Sequence, residues 1–146
     1  MRENVQITTQ REAETIGFAQ GVADSLCAGD VVLLRGDLGM GKSVFSRAVI
    51  RSLCEDDALE VPSPTFTLVQ QYDALLADIW HFDLYRLSDQ SEIYEIGWEE
   101  AMDGGISLIE WPERLGGLTP ARCIEVSISP VSGAPDARKI EVIYHE

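Results

Sequence analysis

Short apolar runs alternate with amphipathic stretches along this chain, and the alternation predicts a mixed α/β protein. Residues 31–34 are a continuous apolar run, and residues 106–109 are apolar except for Ser107; both have the length expected for buried strands. Apolar side chains recur at helical spacing before and after the first of these runs, at Ile16, Ala19, Ala23, Leu26 and Cys27 and at Phe45, Ala48, Val49 and Leu53. The pattern therefore predicts a helix on each side of a buried strand.

Turn residues divide the rest of the chain into further elements. Thr9-Gln10-Arg11-Glu12 matches a capping box, which predicts that the first helix begins after Thr9, and Gly29 is a candidate stop. Other strands are predicted at residues 5–7, 65–72, 77–85, 122–129 and 138–144, and another helix at residues 91–102. The strands at 65–72 and 77–85 are close enough to form an antiparallel hairpin. We therefore expect a mixed, partly antiparallel sheet.

The segment from Gly36 to Ser43 fits the phosphate-binding motif G-x-x-x-x-G-K-S/T. It lies between the predicted strand at 31–34 and the helix after it, which is the context that this loop requires. Lys42 is predicted to reach the terminal phosphates and the Ser43 hydroxyl to hold Mg²⁺. The predicted fold is thus a three-layer, P-loop NTPase-like sandwich in a single domain, residues 1–146. The predicted nucleotide-binding residues here are Gly36, Asp37, Leu38, Gly39, Met40, Gly41, Lys42, Ser43 and Val44.

Charge and composition narrow the choice of partners. The 146 residues include 11 basic and 25 acidic side chains, a net charge of −14, and no basic run. This balance argues against direct binding of nucleic acid, which favours a basic patch. No run is long enough to span a membrane, and the polar start does not resemble a signal peptide. Cys27, Cys54 and Cys123 lack metal-ligand spacing, so free thiols in a reducing cytoplasm are expected.

Two carboxylates end apolar runs and are candidates for the chemistry of hydrolysis. Glu110 follows residues 106–109 in the form of a Walker B strand, and Asp83 follows Ile79-Trp80-His81-Phe82. Ligands collect at the carboxyl ends of strands in open α/β sheets. The alternative for either carboxylate is a solvated strand end or a helix cap; function is favoured for Glu110, and the bare pattern leaves Asp83 open between the two interpretations. Thr65, in the stiff turn Pro62-Ser63-Pro64-Thr65, is either a γ-phosphate switch residue or part of an ordinary turn.

The residues alone leave the roles of three further side chains open. His81 shares a predicted strand face with Asp83 and Tyr85, and a structural histidine is favoured over a catalyst. Arg86 is either a transition-state finger or an ion-pair partner, with the pair favoured. Trp111 could belong to the core, stack on the nucleotide or face a partner protein, and the sequence does not decide among these roles.

Four sequence blocks together resemble the TsaE (YjeE) family of small bacterial ATPases, which are required for threonylcarbamoyladenosine formation on tRNA. The blocks are the P-loop, SPTFTLV at residues 63–69, HFDLYRL at residues 81–87 and EWPER at residues 110–114. They cover the chain from about residue 30 to 115. The P-loop is generic, whereas the other three blocks are specific to the family.

The resemblance implies roles at the matching positions. It implies ATP and Mg²⁺ as cofactors, Ser43 and Glu110 as metal ligands, Asp83 as the catalytic or water-positioning acid, and Thr65 as a switch residue. By position, Thr9, Gln10 and Gly133 are expected near the adenine. The implied partner is the TsaD–TsaB protein complex, with tRNA engaged only indirectly and the chain itself a monomer or weakly self-associating.

The expected function is therefore a Mg²⁺-dependent ATPase that drives the turnover of the TsaD–TsaB complex, slow in hydrolysis when alone. The absence of the guanine-reading Asn/Thr-Lys-x-Asp motif favours ATP over GTP. Two alternatives are kept. The first is a small-molecule kinase, which needs a lid with several arginines, whereas the arginines after the P-loop helix are few and dispersed. The second is a binding module whose partner affinity is switched by ATP occupancy, without essential hydrolysis.

Overall fold

Seven strands form one sheet in the computed structural model, which describes residues 2–37 and 39–146. The strands are β1 Val5–Thr9, β2 Val31–Arg35, β3 Val69–Tyr72, β4 Ile79–Asp83, β5 Ile106–Glu110, β6 Cys123–Val131 and β7 Ala134–His145. The α-helices are α1 Glu12–Ser25, α2 Lys42–Leu53 and α3 Trp98–Met102, and Gln90–Ile96 and Pro112–Leu118 form 3₁₀ helices. The predicted strands at 5–7, 31–34 and 106–109 are all present.

The sheet is mixed, as predicted. Its strand order is β1-β7-β6-β2-β5-β4-β3. The central strand β2 runs parallel to both β5 and β6, and β4 runs parallel to β5. The pairs β1–β7, β6–β7 and β3–β4 are antiparallel, so the predicted hairpin between residues 65–72 and 77–85 is confirmed as β3 and β4. The four neighbouring parallel strands β6, β2, β5 and β4 bring their carboxyl ends to one end of the sheet.

Apolar cores on both faces of the sheet make a three-layer sandwich. Alternate β2 residues point to opposite faces, with Val32 and Leu34 packed against α1 and α2. Val31 and Leu33 pack in the other core with α3 and the 3₁₀ helices. The sheet is therefore buried on both faces at its centre, which is the reason that β2 is almost entirely apolar and β5 mostly so.

Three local predictions differ from the structure. The helix predicted at 91–102 is interrupted at Gly97, whose φ of +93° ends the 3₁₀ helix before α3 begins. Residues 65–68 are a turn, and the strand starts only at Val69. The capping box at Thr9 is wrong: Thr9 belongs to β1, its hydroxyl lies 2.8 Å from the Thr15 Oγ1, and α1 begins at Glu12. Pairing with β7 holds the Thr9 backbone extended and away from the helix start.

No helix within the described part of the chain is long and apolar enough to cross a membrane. Cys27, Cys54 and Cys123 are all free thiols, as predicted. Burial raises the pKa of the Cys54 and Cys123 thiols above the ordinary range.

Candidate active site

The loop between β2 and α2 has the backbone of a phosphate cradle. Gly39 and Gly41 have φ values of +81° and +102°, which residues with a Cβ rarely adopt. At Gly36 an added Cβ would lie 2.7 Å from the Ile128 carbonyl oxygen of β6. Gly41 is the N-cap of α2, so the free amides of the first helical turn are available to an anion. Leu38, also predicted to bind nucleotide, lies outside the described residues.

A cavity of about 300 Å³ brings the predicted chemical residues together in front of this loop. Asp83 and Glu110 reach it from neighbouring strands, because they are register partners in the parallel β4–β5 pair. Glu110 is in turn opposite Leu34, just before the P-loop. The lining residues are Gly39, Gly41, Lys42, Ser43, Val44, Ser63, Thr65, Asp83, Glu110 and Trp111. The P-loop residues and the two predicted acids therefore lie close together in the structure.

The remaining P-loop residues lie just outside this cavity. Gly36 and Asp37 follow β2, and the Asp37 carbonyl accepts a hydrogen bond from the Met40 amide at 3.2 Å. Met40 is half-buried against the core under α1 and α2. The Arg138 Nε of β7 donates to the Met40 carbonyl at 3.2 Å, so a strand distant in sequence helps to hold the loop.

Asp83 is buried at the end of β4, and hydrogen bonds engage both of its oxygens. Its Oδ1 accepts from the Tyr85 amide at 3.0 Å, and its Oδ2 accepts from the Thr65 hydroxyl at 3.3 Å. The Thr65 and Ser63 hydroxyl oxygens are 2.7 Å apart. The turn at residues 62–65 is thus connected directly to the acid of β4, and Thr65 faces the cavity rather than solvent alone.

Glu110 is also buried, but its carboxylate is held from one side only. Its Oε2 lies 2.7 Å from the His81 Nε2 of β4, and both side chains are almost fully inaccessible to solvent. Within the described residues, no other side chain hydrogen-bonds the Glu110 carboxylate. The second carboxylate oxygen is therefore available on the side of the cavity that Ser43 also lines.

Trp111 covers the P-loop lysine. The Lys42 ammonium lies 3.9 Å from the centroid of the Trp111 ring, within the range of a cation–π interaction. The same ring packs on Tyr85 with a centroid distance of 4.9 Å. Trp111 has φ +58°, an unusual conformation for an aromatic residue and one that recurs at functional sites. The sequence left its role open, and the informative signal was its position directly after Glu110.

Arg86 contacts an aromatic side chain. Its guanidinium stacks on the exposed Phe66 ring, 4.4 Å from the centroid. Among the described residues it makes no ion pair, so the interpretation favoured from sequence is not found.

A second cavity, of about 250 Å³, adjoins the P-loop on the side of α1 and β7. It shares Gly39, Gly41 and Val44 with the first cavity and is completed by Arg11, Glu12, Thr15, Asp136 and Arg138. Thr9 lies behind it, bonded to Thr15, and neither Gln10 nor Gly133 is among its described lining residues. Nucleoside contact by Thr9, Gln10 and Gly133 therefore stays a prediction.

The donors in the first cavity fit a nucleotide phosphate and a magnesium ion. Mg²⁺ prefers oxygen ligands and is usually held by one or two protein groups together with phosphate oxygens and water. The Ser43 hydroxyl and the Glu110 carboxylate provide such oxygens. Within residues 2–37 and 39–146, no group of three His, Cys, Asp or Glu side chains is placed to hold a metal unaided. The site therefore suits a metal that arrives with its nucleotide.

The strand order, the glycine loop and the acids at the strand ends define a protein of the P-loop NTPase-like class. A crystal structure of YdiB from Bacillus subtilis superposes on the fold with a TM-score of 0.78 at 24% identity, over the whole of this chain and 88% of that one. The model of the family described as "Threonylcarbamoyl adenosine biosynthesis protein TsaE" matches residues 9–140. The chain belongs to the TsaE family, as the sequence blocks predicted.

Relatives from distant bacteria agree with this assignment. A Rickettsia bellii protein is 44% identical over 125 residues, which are 86% of this chain and 86% of that protein. A Haemophilus influenzae protein is 40% identical over 114 residues, or 77% and 69% of the two chains. A Bacillus subtilis protein is 33% identical over 121 residues, or 82% and 74%. Each is called "tRNA threonylcarbamoyladenosine biosynthesis protein TsaE".

Proposed function

We propose that this protein is a Mg²⁺-dependent ATPase that binds the TsaD–TsaB complex and drives its turnover in threonylcarbamoyladenosine modification of tRNA. The observation that carries the proposal is the single cavity in which Lys42 and Ser43 of the P-loop meet Asp83 and Glu110. A loop that only bound phosphate would not need two buried acids beside it. Hydrolysis needs both a ligand for the metal and a group that positions water.

Each residue has a distinct part in this proposal. The P-loop amides and Lys42 bind the β- and γ-phosphates, while Ser43 and Glu110 hold Mg²⁺ directly or through water. The ion neutralises charge on the phosphates when it is bound. Asp83 and Thr65 orient the attacking water, and their existing 3.3 Å contact fixes one relative to the other. Little covalent chemistry is required, because positioning and charge stabilisation supply most of the rate in this class of reaction.

The nucleoside would occupy the second cavity, which continues from the P-loop. We propose ATP because the sequence lacks the guanine-reading motif. Carboxylates of Glu12 and Asp136 line this cavity and are suitable acceptors for amino or hydroxyl donors of the nucleoside.

The charge of the molecule supports a protein partner. A net charge of −14 repels the phosphate backbone of tRNA, so contact with tRNA is proposed to be indirect. We propose a cytoplasmic location, because the pathway modifies tRNA, and a monomeric or weakly self-associating chain.

The test compares ATP hydrolysis by the wild type and Lys42→Ala, with and without Mg²⁺ and the TsaD–TsaB complex. Lys139→Ala is the matched control, since it removes the only other lysine from an exposed position on β7. We expect slow hydrolysis by the chain alone, faster hydrolysis with the complex, and a loss of about 100-fold or more in Lys42→Ala only. Rapid turnover that ignores Mg²⁺, Lys42 and the partner complex would contradict the proposal.

A further inference from the structure

We propose that His81 is a positioning residue for Glu110: its imidazole fixes one carboxylate oxygen and leaves the other for the metal. This inference rests on the proposed function, because it assigns the supporting group of the Mg²⁺ ligand in that same site.

His81 stands at a position where the packing favours an apolar side chain. All five residues of β4 are buried, and Ile79, two residues earlier on the same face, belongs to the core under α1 and α2. Leu108, its register partner on β5, belongs to the same core. A polar ring buried in such surroundings loses its hydration and is tolerated only when a partner compensates. The partner that His81 finds is Glu110.

The geometry assigns the proton on the ring. A carboxylate accepts hydrogen bonds, so the Nε2 carries hydrogen and donates to the Glu110 Oε2 at 2.7 Å. The Nδ1 is buried without a hydrogen-bond partner among the described residues. The ring is thus committed to Glu110 alone, and the pair is not one link in a longer buried chain of hydrogen bonds.

The contrast with Asp83 shows what the pair accomplishes. Both Asp83 oxygens accept hydrogen bonds, whereas Glu110 has one bonded oxygen and one without a described partner. Glutamate also has more rotatable bonds than aspartate, so an untethered Glu110 would sample several positions in the cavity. A hydrogen bond from a buried ring selects one of them. Outer partners of this kind typically change metal affinity or activity by 10- to 100-fold when removed.

Three substitutions separate positioning of Glu110 from simple filling of the core. In His81→Gln the side-chain amide nitrogen takes roughly the place of the Nε2 and still reaches Glu110. In His81→Asn the amide is shorter and lies near the place of the Nδ1, so the bond to Glu110 is lost although a polar amide remains. His81→Leu also removes the hydrogen bond to Glu110, and its apolar side chain fits the surrounding core. It replaces the asparagine variant in the comparison if that variant does not fold.

Three measurements are made on each variant: the urea midpoint, the kcat and KM for ATP with the TsaD–TsaB complex, and Mn²⁺ affinity. The last is followed by electron paramagnetic resonance on protein saturated with a non-hydrolysable ATP analogue. We expect kcat and Mn²⁺ affinity to fall by about 10- to 100-fold in the asparagine and leucine variants, with KM within about threefold. The glutamine variant should stay within about threefold of wild type in every readout.

The inference would be overturned if a folded His81→Leu or His81→Asn variant kept the wild-type kcat and Mn²⁺ affinity. It would also be overturned if a folded His81→Gln variant lost as much kcat and Mn²⁺ affinity as the leucine variant. These results are distinct from failure of the proposed function. That failure would appear in the wild type itself, as hydrolysis that needs no Mg²⁺ or that survives Lys42→Ala.

Discussion

At the scale of single residues, the two acids of the cavity differ in how their oxygens are used. Asp83 is held on both sides, by the Tyr85 amide and the Thr65 hydroxyl. Glu110 is held on one side, by His81. An acid whose position is fixed on both sides suits the orientation of water, and one with a free oxygen suits a metal. We therefore propose that Asp83 orients water and that Glu110 binds the metal, the roles that the family resemblance implied.

Asp83→Asn tests this division. The amide keeps an acceptor for the Tyr85 amide, so the turn after β4 should survive, but the negative charge that orients water is lost. We expect ATP hydrolysis to fall at least about tenfold while nucleotide affinity changes by less than about threefold. Equilibrium binding and steady-state hydrolysis give the two numbers. Equal losses in both would instead place Asp83 among the groups that bind nucleotide.

Thr65→Val is the companion variant, since it removes the hydroxyl that reaches Asp83 with little change in volume. It should reduce hydrolysis in the same direction and by a smaller factor, because Asp83 keeps its charge and its bond to the Tyr85 amide. Hydrolysis at the wild-type rate would remove Thr65 from the proposed site.

At the scale of elements, a glycine bend separates the 3₁₀ helix Gln90–Ile96 from α3. Gly97 has φ +93°, and an added Cβ would lie 2.5 Å from the Trp80 ring. Trp80 in turn stacks on Phe82 of the same strand, and Phe82 packs on Trp98 of α3. The bend is therefore part of the layer that supports β4 from the side opposite the cavity.

Gly97→Ala should destabilise the fold by about 2–4 kcal/mol, the sum of a positive φ and an overpacked aromatic contact. Gly17→Ala is the control: Gly17 lies inside α1 with no atom within 4 Å of an added Cβ. Alanine there should stabilise the fold by about 0.5–1 kcal/mol. Urea unfolding measures both, and a neutral Gly97→Ala would show that α3 can shift without cost.

The contrast between P-loop and second cavity shows what a single sequence can reveal. The motif from Gly36 to Ser43 is contiguous, and the strand–loop–helix pattern around it is local, so both could be predicted. Arg138 and Asp136 line the second cavity from β7, and Thr15 of α1 and Arg11, the residue before α1, also line it. Nothing in the spacing of these residues predicts that β7, which lies between β1 and β6, brings Asp136 and Arg138 close to the P-loop. The false capping box had the same cause, because β1–β7 pairing overrides a local preference at Thr9.

At the scale of the whole molecule, an ion-pair cluster ties the N-terminal segment to the residue after β7. The Arg2 guanidinium contacts both Asp30 and Glu146, at 2.6 Å each. Hydrogen bonding to Arg2 lowers the pKa of Glu146 below its usual 4.5. A carboxylate with a lowered pKa in the folded state stabilises the fold above its unfolded pKa, and the effect is lost as the pH falls through the folded value.

Glu146→Gln should therefore lower the urea midpoint slightly at pH 7, and the difference from wild type should shrink as the pH falls below about 4.5. Glu3→Gln is the control, because Glu3 is exposed and makes no ion pair among the described residues. Urea titrations at several pH values provide the comparison. A difference that persists unchanged into the acid range would mean that the ion pair is not its source.

The central claim is that hydrolysis, and not occupancy alone, drives repeated modification. The direct measurement counts threonylcarbamoyladenosine residues formed on tRNA per TsaD–TsaB complex, with ATP and either the wild type or Asp83→Asn. We predict many modifications per complex with the wild type and about one with the variant, which binds nucleotide but does not orient water. Equal numbers with both proteins, despite lost hydrolysis in the variant, would contradict the claim and leave a nucleotide-switched binding module.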